Sequence, residues 1–264
     1  MRTRTAVLLI GPLVLLAGVL VRVPSRAEEL RVAQAAGPAS AELVARGREL
    51  FNDLGLSADR RWSCASCHPR EAHTDNKTYV GVTVVADRDP TGRSTPTLWG
   101  AGFRRAYSWA GTAPSLEANI RGIIVNRMKG AEPSPETVAA LAAYVRSLPY
   151  AANPNLKDDG APSDAAPAAA KRGYELFMVK AGCKTCHEPP HYEKKDVEDI
   201  GSGGKFKVPS LRTVSRTEPY FHDGRYQTLD QAVTAMWEYV QKAGTTEKLT
   251  DDDLRDLVEF LKIL

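Results

Sequence analysis

The chain has 264 residues, 43% hydrophobic and 25% charged, a balance that excludes a disordered or fibrous protein and suits one or two globular domains. The formal charge is +3. Arg2, Arg4, Arg22 and Arg26 all fall in the N-terminal leader described next, so the remainder carries −1 and gives no reason to expect a nucleic-acid partner.

Residues 1–27 read as a secretory signal peptide. Arg2 and Arg4 form a basic start, residues 6–21 an apolar run, and Ser25-Arg26-Ala27 a small-residue cleavage site. The run is short for a membrane span, which takes about 20 apolar residues; an uncleaved anchor is the competing reading. Export predicts a periplasmic location. Residues 28–39 are expected to be a flexible lead-in.

An N-terminal domain is expected over 40–152 and a C-terminal domain over 170–264. Between them, residues 153–169 are rich in Pro and Ala and read as an exposed linker. The two domains are repeats. Each opens on a segment ending in Leu-Phe, Gly47-Arg48-Glu49-Leu50-Phe51 and Gly173-Tyr174-Glu175-Leu176-Phe177. Each then has Cys-x-x-Cys-His, followed by Pro96-Thr97-Leu98 or Pro209-Ser210-Leu211. Thirteen residues after each Pro lies Trp109 or His222, and twenty after it lies Leu116 or Leu229, opening a helix. Equal spacing at three landmarks points to one duplicated domain.

Each domain should close on a helix. Ser134 caps the first, with Pro135 at its first position, and Pro149 ends it. Thr250 caps the second, with Asp251 to Asp253 at its positive end and Leu254, Leu257, Val258 and Leu261 as its buried stripe. Strand-like runs are few, residues 79–85 being the best. The expected fold is mainly α: two tandem class-I-cytochrome-c-like haem domains related by internal duplication.

The four cysteines occur only as Cys64-Ala65-Ser66-Cys67-His68 and Cys183-Lys184-Thr185-Cys186-His187. Cys-x-x-Cys-His is the attachment signature of a c-type haem. Two thiols at this spacing add to the two vinyl groups on one porphyrin edge, and the next residue brings an imidazole to the iron. A disulfide, a redox Cys-x-x-Cys and a zinc site are the competing readings, but zinc takes four ligands and one motif supplies three. Two covalent c-type haems are expected, on Cys64 and Cys67 and on Cys183 and Cys186, with His68 and His187 as proximal ligands.

The sixth ligand separates an electron-transfer iron from a reactive one. An extended chain advances about 3.3–3.6 Å per residue, so His73 and His191 lie too close to their own proximal histidines to reach the far face. Met178 reads as core. Met128 and Met236 are distant enough in sequence to serve, although Met is also a common core filler. They are not repeat-equivalent, since Ile123 is the counterpart of Met236.

The chain resembles the bacterial di-haem cytochrome c peroxidases and MauG-type enzymes. The resemblance rests on Phe206-Lys207-Val208-Pro209-Ser210-Leu211-Arg212, on Thr217-Glu218-Pro219-Tyr220-Phe221-His222-Asp223-Gly224, on Leu229 through Met236, and on Ser94-Thr95-Pro96-Thr97-Leu98 with Trp109. It implies an electron-accepting C-terminal haem with an axial residue at Met236, a peroxide-reactive N-terminal haem, and Trp109 assisting electron transfer between them. It also implies a calcium ion held in part at Thr217 and Pro219, and a tendency to form homodimers. Three departures stand out. Ser94 replaces an Asn at the calcium site. The loop 75–82 has no His to act as a displaceable ligand. Arg127 stands where the family has a Glu before the Met, and an Arg cannot act as a base at neutral pH.

The first haem therefore has two expected states. Met128 ligates it and the protein only transfers electrons, or the sixth position is open and Arg127, Tyr79 or His73 lines an altered pocket. The leading expectation is a peroxidase-type oxidoreductase that takes electrons from a small redox protein and reduces hydrogen peroxide. The alternatives are a purely electron-transferring di-haem cytochrome and an electron-transfer subunit of a dehydrogenase. The basic pairs Arg104-Arg105 and Lys194-Lys195 read as solvated surface.

Overall fold

The computed structural model describes residues 39–69, the backbone of 78–79, and residues 93–244 and 247–264. The leader and the lead-in to residue 38 lie outside the described residues, as do most of the strand-like run 79–85 and the loop holding His73. Among the described residues no helix is long and apolar enough to cross a membrane. Residues Ser40–Leu264 form one compact unit.

The first half contains α1 (Ala41–Phe51), the helical turn α2 (Cys64–Cys67), α3 (Leu116–Gly122) and α4 (Pro135–Arg146). The second contains α5 (Ala168–Glu175), α6 (Leu229–Lys242) and α7 (Asp251–Lys262). The strands are short: β1 (Thr78–Tyr79) pairs antiparallel with β2 (Arg93–Ser94), and β3 (Val197–Asp199) with β4 (Lys205–Lys207). The protein is mainly α, built from two tandem cytochrome-c-type domains.

The caps act where their chemistry predicts. Ser134 accepts from the Thr137 N–H at the start of α4, with Pro135 at the first position. Thr250 and Asp253 form a reciprocal capping box on α7, followed by a buried stripe of Leu257, Val258 and Leu261. Leu254 is only half-buried. In each half the opening helix packs on the closing helix through a glycine. A Cβ at Gly47 would stand 1.9 Å from the Ala140 carbonyl oxygen, and one at Gly173 would stand 1.9 Å from that of Asp256. The paired helices therefore touch backbone to side-chain-free backbone, and only glycine permits it.

The duplication keeps an offset of 113 residues from Ser94 and Lys207 to Leu116 and Leu229, and the closing helices are offset by 116. Gly100 and Thr213 are both left-handed, as are Ser108 and Phe221, and Gly111 and Gly224. Short 3₁₀ turns follow at Ala101–Phe103 and Val214–Arg216. The Gly100 N–H donates to the Leu148 carbonyl at 3.0 Å, and the Thr213 N–H to that of Leu264 at 2.8 Å, tying each turn to the end of its closing helix.

The halves meet through equivalent groups. The Ser94 N–H donates to the His222 carbonyl at 2.8 Å, and the Lys207 N–H to the Trp109 carbonyl at 2.8 Å. Ser94 and Lys207 occupy matching positions, as do Trp109 and His222, so the contact is self-complementary like that of a two-fold dimer.

The 153–169 segment is held more firmly than its composition suggests. The Tyr192 hydroxyl donates to the Gly160 carbonyl at 2.7 Å, and the Asn153 amide to that of Ile263 at 2.7 Å. Ala166 packs into the second core. Gly160 lies against Tyr192 and Pro190.

Candidate haem sites

A cavity of about 790 Å³ runs through both halves. Its wall includes Cys64, Cys67 and His68 from the first motif and Cys183, Cys186 and His187 from the second. Leu116, Ile124 and Leu141 make it apolar in the first half, and Phe177, Leu229 and Leu257 in the second.

The two motifs adopt the same local turn. The His68 N–H donates to the Cys64 carbonyl at 2.9 Å, and the His187 N–H to that of Cys183 at 3.0 Å. Each bond folds the histidine back beside the first cysteine of its motif. The Ser63 N–H, accepted by the Ser66 hydroxyl at 3.0 Å, stiffens the first turn.

The four cysteines are half-buried, and none is joined to another in a disulfide. Burial pushes the thiols of Cys64 and Cys183 up to about 12. A redox dithiol or a zinc site needs the thiolate, and this environment opposes it. Among the described residues no group of three or more His, Cys, Asp or Glu is placed to hold a metal by itself.

His187 is half-buried, and desolvation holds its imidazole below its usual value. Its Nδ1 lies 3.1 Å from the Tyr192 carbonyl. That contact fixes the ring and leaves Nε2 for another partner, the usual orientation of a metal-ligating histidine. Tyr192 is itself immobilised among Phe177 and Phe260. This support, six residues from the motif's second cysteine, carries no sequence signature.

Met128 and Met236 both line the cavity. Met128 ends a π-type turn, Ile123–Arg127, and is 4% exposed. Its N–H donates to the Ile123 carbonyl at 2.8 Å, and its carbonyl accepts the Ala58 N–H at 3.1 Å. It also belongs to the first core, against Ile124 and Leu141. Met236 lies on α6 beside buried Trp237 and is half-buried. Met178 packs on the second core. Arg127 is half-buried and faces the same cavity as Met128. The backbone of Tyr79 pairs with Arg93 in the small sheet.

Trp109 stands on the cavity wall at the junction of the halves. Its Nε1–H donates to the Ser94 carbonyl at 2.8 Å. Its ring meets His222 edge-on, with centroids 6.4 Å apart.

At the expected calcium site the Ser94 hydroxyl donates to the Pro219 carbonyl at 3.1 Å, and the Thr217 hydroxyl to that of Val214 at 3.0 Å.

Arg104 departs from expectation. It is not solvated surface: its Nη2 donates to the carbonyls of Thr97 at 2.7 Å and Trp99 at 3.4 Å, and it lines the cavity. Lys207 lines it too and is 6% exposed. Periodicity carries no sign of either, because Arg104 sits in irregular backbone and Lys207 ends a three-residue strand too short to show an alternation.

One cavity with two vinyl-reactive Cys pairs, two histidines and apolar walls fits two flat macrocycles. That arrangement defines the class of di-haem c-type cytochromes. Comparison with known sequences agrees. A family described as di-haem cytochrome c peroxidase matches residues 41–159, and one described as cytochrome c matches residues 170–264. The methylamine utilization protein MauG of Methylorubrum extorquens is 30% identical over 87% of this chain and 80% of its own length. The cytochrome c551 peroxidase of Pseudomonas aeruginosa is 27% identical over 92% of this chain and 83% of its own. Among solved structures, a MauG-like protein associated with microbial copper homeostasis superposes with a TM-score of 0.70 at 23% identity, covering 87% of this chain and 90% of that one. The hydrazine synthase of Kuenenia stuttgartiensis gives 0.69 at 22%, over the whole of both chains. The chain is a divergent member of the di-haem cytochrome c peroxidase and MauG family of oxidoreductases.

Proposed function

We propose that this protein is a periplasmic peroxidase-type cytochrome that reduces hydrogen peroxide with electrons from a small redox protein. The observation that carries the reading is the single cavity that reaches both attachment motifs and holds Trp109 at the junction between them. When bound, the two haems supply one-electron transfer and an iron at which the peroxide O–O bond can be cleaved. Two electrons and two protons convert one peroxide to two waters.

The chain's own groups have distinct tasks in this reading. The Cys64–Cys67 and Cys183–Cys186 pairs hold the cofactors, and His68 and His187 present imidazole nitrogens. Tyr192 orients His187 through its carbonyl. Met236 offers its thioether on the electron-accepting side. Trp109 lies on the route from the second half to the first. Arg127 supplies positive charge beside the first site and stabilises a leaving anion; it cannot move the proton as a base. Proton delivery then falls to water or to a loop outside the described residues.

A second reading is favoured by the burial of Met128. Met128 is 4% exposed and lines the same cavity as His68, as a sixth ligand must. The protein would then only transfer electrons. The ferric spectrum separates the two: a high-spin iron together with peroxide turnover, in oxidised or half-reduced protein, supports the peroxidase. Two low-spin irons and no turnover in either state overturn it. Met128→Ala should cost about 2–5 kcal/mol as a buried truncation, and should create a new high-spin signal only if Met128 is a ligand.

A further inference from the structure

Arg104 and Lys207 come from different halves and both line the cavity, close enough for the Arg104 charge to act on the Lys207 ammonium. Arg104 Nε is buried with no hydrogen-bond partner, while Nη2 is engaged by Thr97 and Trp99. Lys207 is tethered beside Trp109 by its backbone N–H. Under the repeat offset Lys207 matches Ser94, and Arg104 matches Thr217. The same pair of positions thus occurs twice, once neutral with hydroxyls and once with two cations.

One acid answers them. Glu193 is 4% exposed, and its carboxylate accepts the Arg105 N–H at 3.2 Å. Its field reaches both Arg104 and Lys207. Two cations against one carboxylate leave positive charge in a poorly hydrated wall, which is costly unless a further anion joins it. Burial and neighbouring Arg104 push the Lys207 ammonium down to about 7, with Glu193 opposing. Burial also holds Arg104 below its usual value and Glu193 above. The Lys207 displacement has the sign expected of a desolvated ammonium beside a second cation.

We propose that Arg104 and Lys207 form a clamp, one cation from each half, that binds the propionate carboxylates of a haem at the junction of the halves. The clamp rests on the haem-binding reading of the two Cys-x-x-Cys-His motifs. It gives the cavity an anchoring point opposite in character to the thioether edge, and it couples cofactor loading to the fit of the halves. A cation beside a propionate cancels negative charge near the iron and so favours the ferrous state.

The test uses the full holoprotein carrying both haems, with Lys207→Met, Arg104→Gln and Arg104→Lys. The readouts are the reduced fraction of each haem at poised potentials and the propionate bending band in resonance Raman spectra. Lys207→Met and Arg104→Gln should lower the ferrous-to-ferric ratio of a haem about tenfold at fixed potential, equal to ~59 mV for a one-electron couple, and move its propionate band. Arg104→Lys should restore most of both. Unchanged ratios and bands in Lys207→Met, which keeps its apolar stem and leaves the Arg104 hydrogen bonds intact, overturn the clamp even if Arg104→Gln does not fold. A ratio in the unsubstituted protein that follows added phosphate concentration also overturns it, by assigning the pair to a free anion. Loss of covalent haem from the unsubstituted chain would instead refute the haem reading itself.

Discussion

Gly47 and Gly173 occupy the same place in the two repeats, and each is constrained by a carbonyl oxygen 1.9 Å from where a Cβ would stand. Because the obstacle is backbone and not the tip of a flexible side chain, the helices must separate to admit a methyl. Gly47→Ala and Gly173→Ala should each cost about 1–3 kcal/mol by overpacking, read as a lowered denaturant midpoint. A midpoint that stays put would show that the helix pair slides freely. Trp109 is constrained differently. Its indole N–H is committed to Ser94, and its ring edge to His222. Trp109→Phe should cost about 1 kcal/mol for the lost hydrogen bond and slow electron transfer between the haems, measured by rapid mixing with a donor. An unchanged transfer rate would remove Trp109 from the route. Arg104 teaches the opposite lesson to the glycines. A guanidinium in Arg104-Arg105 looks solvent-directed from its neighbours, yet the fold buries it against Thr97 and Trp99.

At the scale of elements, α7 shows how much a cap can decide. Thr250 accepts the Asp253 N–H at 3.1 Å, and the Asp253 carboxylate accepts the Thr250 N–H at 2.9 Å and pairs with Lys180 at 3.0 Å. The Thr250 N–H and Lys180 hold the Asp253 carboxyl below the usual carboxylate value. A depressed acid contributes stability above its unfolded pKa of about 3.9, and that contribution is lost as pH falls through the lower folded value. Thr250→Ala should cost about 1 kcal/mol at neutral pH. Asp253→Asn should flatten the acid limb of the stability curve, and an acid limb identical to the parent's would contradict the assignment. The caps and stripes of α4 and α7 were legible because they are local: a hydroxyl, a proline or an acid acts within one turn of where it stands. The tight 3₁₀ turns at Ala101–Phe103 and Val214–Arg216 were not legible, since left-handed Thr213 has no glycine to announce it.

For the molecule as a whole, direct hydrogen bonds join the two halves. Ser94 and Lys207 reach across with reciprocal backbone hydrogen bonds, and the Ser94 hydroxyl adds one to Pro219. Reduced protein should therefore keep its visible spectrum and its denaturant midpoint when a calcium chelator is added and when calcium is restored. A calcium-dependent change in either would show that oxygens outside these residues complete a site. The sequence by itself determined the duplication, the closing helices and the two Cys-x-x-Cys-His motifs, because covalent attachment chemistry demands fixed spacing and helix periodicity is written within a few turns. The support of His187 by the Tyr192 carbonyl, the bonds from Ser94 to His222 and from Lys207 to Trp109, and the placing of Arg104 and buried Lys207 in the field of buried Glu193 came only from the tertiary structure. Each depends on backbone carbonyls or on charges far apart in the chain, whose desolvation is set by the docking of one half on the other.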